Sequence, residues 1–281
     1  MKLAVVALLL AVSAAGLPAG RNLASLIANR AIFGPHLSGV IARHPSYVKF
    51  LLQPALSATD PRSVARAHLA LGFVRESAGA REQAIEEWRL ANAQPLWEQM
   101  GRLAMGRHDL TGSIAFYQRA IAIGPSKLDN YFSLAWLYWP GLGRVQDALE
   151  TYERAATIAR VDSVERDMAE GYVFRLRQNW PEALRSFERA ATAKSGNADA
   201  HRQAALAAVR LGEFPIAIAH LKEAIAATPE DSALYVELGD VYGTSGQGDA
   251  GAAYRQALQV NPDNGAARQK LASLPPRERR E

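Results

Sequence analysis

Cysteine is absent from the chain, which removes disulfides, thiolate metal sites and a cysteine nucleophile at once. Charge of one sign is in no large excess: 32 lysines and arginines face 28 aspartates and glutamates, a net charge of +4. The basic residues are spread along the chain, and no basic run interleaves with aromatics, the footprint of a nucleic-acid surface. No nucleic-acid partner is therefore expected, and the C-terminal "PPRERRE" reads as a solvated tail. Strand-type alternation of β-branched residues is also missing. So are the HExxH and Gly-x-Ser-x-Gly arrangements that would announce a zinc site or a nucleophile elbow. The six histidines, at 36, 44, 68, 108, 201 and 220, show no ligand spacing. Glu86 with Glu87, and Asp147 with Glu150, read as solvated helix faces rather than paired catalytic acids. The expectation is a protein with no cofactor, no metal and no reaction of its own.

What the sequence does contain begins at its first twenty residues, "MKLAVVALLLAVSAAGLPAG". Lys2, an apolar run from Leu3 to Val12 and the small residues Ser13-Ala14-Ala15 form an export signal with a cleavage site. The uncharged stretch from Leu3 to Gly20 is also 18 residues long, the lower limit for a membrane-crossing helix, and Arg21 follows at once. Residues 1–20 are thus a signal peptide or a membrane anchor, and either places the rest of the chain outside the cytoplasm. With 49% of the sequence apolar and 21% charged, the remainder can bury a sizeable core.

That remainder is helical in period from about Ala65 and repeats. "ADAHRQAALAAVRLGEFPIAIAHLKEAIAATPED", Ala198 to Asp231, is 34 residues long, and "VERDMAEGYVFRLRQNWPEALRSFERAATAKSGN", Val164 to Asn197, aligns to it without a gap. Each unit holds two amphipathic helices joined at a polar residue or glycine and ends at a breaker. The last unit carries Tyr235, Leu238, Gly239 and Tyr242 on its first helix, then Ala250, Ala257 and Pro262. In the unit before it, Ala205, Ala217, Leu221, Ala224 and Pro229 occupy the matching places. This pattern resembles the tetratricopeptide repeat. The resemblance extends through Val164–Asn197, Leu128–Ser163 with its longer turn at "WPGLGR", Gln94–Lys127 and Ala65–Ala93. It implies an all-α fold, a right-handed α-solenoid of helix-turn-helix repeats behind the N-terminal signal or anchor helix. Residues 65–265 form six repeats, 21–64 a helical region that reads as a degenerate repeat, and 266–281 a capping helix and basic tail.

Gly246-x-Gly248-x-x-Gly251 imitates a dinucleotide-binding fingerprint. That motif needs a strand before it, whereas here the helical pattern "ALYVELGDVY" precedes it. The glycines are assigned to the turn of the last repeat.

In proteins of the resembled family the first helices line a concave groove. Here the groove-facing positions are Phe73, Arg102, Met105, Phe132, Trp136, Trp139, Met168, Tyr172, Arg175 and Arg202. Aromatics and arginine are the types that dominate binding hot spots. Phe132, Trp136, Trp139 and Tyr172 are expected to receive an amphipathic helix or extended peptide; the competing assignment for these rings is core packing. The lysine and asparagine set with which some relatives grip a terminal carboxylate is missing. The resemblance thus implies a protein-binding scaffold, exported or membrane-tethered at a bacterial cell envelope. Two alternatives are an accessory subunit of an envelope glycan machine, with Trp136 and Trp139 stacking on sugar, and a single-pass subunit of a membrane complex.

Overall fold

The computed structural model describes residues 49, 52–53, 55–193 and 197–275. The signal or anchor segment 1–20, most of the helical region expected over 21–64 and the end of the tail lie outside the described residues. Among the described residues there are thirteen α-helices and no strand, so the fold is all-α as expected. Twelve of the helices follow one another as helix-turn-helix pairs. These are α1 (Pro61–Ser77) and α2 (Arg81–Leu90), α3 (Gln94–Gly106) and α4 (Leu110–Ile123), α5 (Leu128–Trp136) and α6 (Val145–Ile158). Then come α7 (Val164–Leu176) and α8 (Trp180–Ala193), α9 (Ala198–Leu211) and α10 (Phe214–Ala227), α11 (Ser232–Ser245) and α12 (Ala250–Val260). A thirteenth helix, α13 (Gly265–Ser273), packs on α12. The chain forms two compact units, one ending at Asn130 and one beginning at Tyr131.

The packing rule within a pair is a small residue on the first helix against a large one on the second. In the first unit a Cβ added to Gly72 would come 2.1 Å from Nε1 of Trp88, and one on Gly101 would come 2.8 Å from the Tyr117 ring. In the second unit the same holds for Gly171 against Phe187 and Gly239 against Tyr254, each at 2.5 Å. Buried Ala135 and Ala205 take the equivalent places. The small residue precedes its large counterpart by sixteen residues in four pairs and by fifteen in Gly239 and Tyr254, but Tyr152 follows Ala135 by seventeen. The extra residue is absorbed where α5 runs into a π turn, Leu137–Gly141, which contains Pro140. A π turn widens the helix by one residue, and this one turns Trp139 toward the first helices that follow.

Each turn inside a pair places one residue in the left-handed region: Gly79, His108, Gly143, Gln178, Gly212 and Gly246. Gly246, with φ 66°, is the C-cap of α11, and Gly251 lies buried inside α12. The glycine triplet is therefore a helix-to-helix turn. The first helix of the first pair begins at Pro61, four residues before Ala65. The carboxylate of Asp60 accepts from the backbone N–H of Arg62 and Ser63 at 3.2 and 3.0 Å, and Pro61 supplies a pre-set φ at the first helical position.

The core of the first unit is aromatic: Phe73, Trp88 and Trp97 meet edge to face, with centroids 5.3 to 5.9 Å apart. Arg119 lies over Trp88 and Trp97 and is held by Glu76 at 2.9 and 3.0 Å. Buried Glu98 accepts from Gln94, Lys127 and Asn130 at 3.1, 2.6 and 3.1 Å. Burial alone would raise its pKa, but these partners hold it below the ordinary value. The second unit is built on alanine, with Ala183, Ala190, Ala204, Ala208, Ala217 and Ala224 fully buried around Phe187, Leu221 and Leu234. Small side chains let neighbouring helices approach closely enough to share one core.

Candidate functional site

On the first helices of the second unit, residues three and four apart share a face, and the faces of consecutive first helices adjoin. Trp136 ends α5 and Trp139 follows in the π turn; Tyr172 and Arg175 stand on α7, Arg202, Leu206 and Val209 on α9, and Glu237, Asp240 and Val241 on α11. Together they line a hollow of about 570 Å³, floored by Tyr152 and Leu221 from the second helices. Trp136 is 50% exposed.

The aromatic end of the hollow is a packed set. Tyr152 and Tyr172 stack at 4.7 Å with planes 10° apart, Tyr172 meets Phe187 edge-on at 5.3 Å, and Trp139 lies under the guanidinium of Arg175 at 4.6 Å. Burial pushes the Tyr152 and Tyr172 phenols up, and the Asp199 charge adds to the shift; both stay protonated. The Tyr172 hydroxyl donates to Asp199 Oδ2 at 3.1 Å. Gln203 links the two charges, donating from Nε2 to Asp199 Oδ1 at 3.2 Å and accepting from Arg175. At the polar end, Arg202 donates from Nε to both oxygens of Glu237, at 2.9 and 3.1 Å. Burial would lower the Arg202 pKa, but the Glu237 carboxylate raises it above the ordinary value. Asp240 accepts from Tyr254 at 2.7 Å and pairs with Lys270 of α13 at 2.8 Å.

Of the ten residues expected to face a groove, the structure brings together Trp136, Trp139, Tyr172, Arg175 and Arg202. Phe132 sits half-buried behind them, its ring against Tyr152 and Tyr172 at 5.8 and 6.2 Å. Phe73 and Met168 are corrected to core positions, 8% and 7% exposed. Each points at the helix packed beside it, Phe73 into the tryptophan cluster and Met168 into the alanine core. Arg102 is exposed and Met105 half-buried on α3 of the first unit, and neither lines the hollow. Asp199, Gln203 and Glu237 also line the hollow and are not among the ten, although Asp199 and Gln203 are spaced to share a face with Arg202 and Leu206. Tyr152 carries no such signal in the sequence, since its place on a second helix marks it as core.

Three of the described histidines, His68, His201 and His220, make contacts between helices. His68 Nδ1 lies 2.8 Å from Glu87 Oε2, and His201 Nδ1 lies 3.0 Å from His220 Nδ1; both contacts reach 19 residues along the chain, to the second helix of the same pair. Glu87, which also receives Arg75 at 3.3 Å, is 13% exposed and so belongs to a helix-helix contact rather than a solvated face. Among the described residues no group of three or more histidines and carboxylates is placed to hold a metal ion, and no helix is long and apolar enough to cross a membrane.

The family model described as the tetratricopeptide repeat matches residues 98–163, 168–232 and 202–247, more than half of the chain. No curated protein sequence matches it. Among solved structures, TTC0263, a thermophilic TPR protein of Thermus thermophilus, is similar with a TM-score of 0.55 and 25% identity, over 64% of this chain and 98% of that one. A tetratricopeptide repeat protein from Parabacteroides merdae gives a TM-score of 0.53 at 13% identity, over 89% of this chain and 97% of that one. The APC/C hetero-tetramer Cut9-Hcn1 gives 0.56 at 15% identity, over 89% of this chain and 52% of that one. The last two likenesses bear on the fold.

Proposed function

Because the chain belongs to the tetratricopeptide repeat family, we propose that it is a protein-interaction scaffold that holds a peptide or helix of its partner in the hollow of its second unit. The observation that carries this is Trp136. A half-exposed tryptophan beside packed aromatics and paired charges is the composition of a hot spot with a polar rim. Phe132 and Tyr172 serve differently: their rings are braced by Tyr152 and Phe187, so they set the shape of the hollow rather than grip the partner. The site of action is proposed from the first twenty residues alone, as the outer side of a bacterial cytoplasmic membrane, either free after cleavage or tethered. Intact mass in separated soluble and membrane fractions distinguishes a chain starting near Gly16 from the full-length one.

The test of the scaffold is photo-crosslinking in the native host from a reactive residue at position 136. A second probe goes at position 161, where Val161 is 71% exposed and lines no described hollow. A protein crosslinked from 136 and not from 161 supports the reading. The same products from both positions, or none from 136, would falsify it. In binding assays Trp136→Ala should weaken the captured partner about tenfold or more with an unchanged unfolding midpoint. Trp136 would stack equally on a sugar ring, so a crosslinked glycan in place of a protein would move the chain to the glycan-machine alternative.

A further inference from the structure

The wall made by Trp139 and Arg175 has a second side. There, where the turns of the pairs gather, a separate hollow of about 430 Å³ is lined by Trp139 and Trp180, Arg175 and Arg210, with Val145 and Leu176 among its apolar walls. It contains no carboxylate. The Arg175 guanidinium lies 4.6 Å from the centroid of Trp139, and that of Arg210 lies 5.5 Å from the centroid of Trp180. In the same unit Arg177, Arg189 and Arg202 each pair with a carboxylate. Arg175 and Arg210 have no ion-pair partner among the described residues, and the hydrogen bond of Arg175 goes to the neutral amide of Gln203.

Two cations face one apolar-walled space. Burial lowers the Arg175 pKa, Tyr172, Tyr152 and Asp199 oppose that, and the Arg210 charge adds a smaller push in the same direction as burial. The plainer account is that both arginines lie in the last turns of α7 and α9, where cations offset the helix dipole. That explains their sign. It does not explain why both lie over tryptophans around a hollow lined by no carboxylate. Val145 and Trp180, the first residues of α6 and α8, also bring two helix N-termini to the same space, and the N-cap of α6 makes no side-chain bond.

We propose that this second hollow takes an aspartate or glutamate side chain, so that the partner segment of the scaffold is an acidic peptide. The inference rests on the scaffold reading above and adds the charge of the partner to it. The two hollows share Trp139, Arg175 and Leu206, so one extended segment can place an apolar side chain beside Trp136 and a carboxylate between Arg175 and Arg210. Guanidinium forks suit a carboxylate in two-point contact. A peptide is favoured over an acidic glycan because the larger hollow, which shares a wall with this one, carries the aliphatic stretch Leu206, Val209 and Val241, which suits an apolar side chain better than a hydroxylated ring.

The test is selection of short random peptides displayed against the full chain, followed by titration of the selected sequences. Enrichment of aspartate and glutamate is expected. Changing the selected acid to its amide should weaken binding about tenfold or more, the loss that one charge-assisted hydrogen bond predicts. Arg210→Gln should weaken the acidic peptides equally and leave their amide versions unaffected, with Arg210→Lys recovering part of the loss; Arg210 is exposed, and an unchanged melting curve controls for folding. Peptides selected without acidic bias, or acidic peptides indifferent to Arg210→Gln, overturn the inference while leaving the scaffold reading intact. Failure to select any peptide removes both. Oligogalacturonate binding more tightly than every selected peptide would overturn the peptide as occupant in favour of an acidic glycan.

Discussion

Single residues carry the packing of each pair, and glycine does so where a ring presses on the backbone. Gly171 lies in α7 with the Phe187 ring 2.5 Å from where a Cβ would stand, whereas nothing lies within 4 Å of the equivalent point on Gly106. Gly171→Ala gains about 1 kcal/mol of helix propensity but must displace a fully buried ring, an overpacking cost of about 1–3 kcal/mol. The net expectation is a loss of stability, while Gly106→Ala should gain roughly 0.5 kcal/mol. Urea midpoints of opposite sign for the two substitutions are the check, and two stabilising changes would mean the rings are not the constraint. The His201–His220 contact makes a second prediction. Burial, and then the His220 charge, hold His201 below its ordinary value of about 6.5, with Glu223 opposing. Glu188 lies 3.6 Å from His220 Nε2 on the other side. The unfolded chain therefore binds the proton more readily, so stability rises with pH up to about 6.5 and is lost on acidification below it. His201→Gln should flatten that slope between about pH 5 and 7; equal slopes in both proteins would assign the effect elsewhere.

At the scale of helices and turns, much was legible because the repeat spells the same contact several times. The Gly239 and Ala205 positions announce the small side of each pair, and the structure places a large side chain opposite. Half of the expected residues line the hollow: Trp136, Tyr172, Arg175 and Arg202 keep the face that helical spacing assigns them, and Trp139 reaches it through the π turn. Phe73 and Met168 broke the rule because a face counted along one helix does not reveal which neighbouring helix covers it. Asp199, Gln203 and Glu237 were missed because a polar residue on a helix reads as solvated until its partner on the next helix is known. The left-handed residue in each turn was not legible where it is not glycine. His108 and Gln178 adopt φ 60° and 59°, at a steric cost that glycine avoids. His108→Gly should therefore stabilise, and Gly212→Ala, at φ 76°, should destabilise, each by roughly 0.5–1 kcal/mol. Thermal midpoints moving in opposite directions test the pair, since a merely flexible turn would show no change in either.

For the molecule as a whole, a stack of repeats is stable to the extent that each pair is covered by its neighbour, and the outermost pair depends on its cap. Val236, Tyr254 and Ala257 of the last pair are buried in one cluster with Ala267, and Leu271 and Leu274 pack against it. Ending the chain after Asn264 removes α13 and returns that face to water, a loss of roughly 2 kcal/mol for one or two aliphatic side chains. Because interactions run between neighbours, the loss should stay local. Amide exchange should accelerate in α11 and α12 and change little in α7 and α8. The hollow would feel it nonetheless, since α11 supplies Glu237, Asp240 and Val241 and Asp240 is held by Lys270 of the deleted helix at 2.8 Å. The truncated chain should bind a selected peptide more weakly than Lys270→Ala does, because the single substitution removes one ion pair and leaves the apolar cover in place. If the two weaken binding equally, the cap acts on the hollow through that charge; if exchange accelerates evenly through α7 to α12, the second unit unfolds as one body rather than pair by pair.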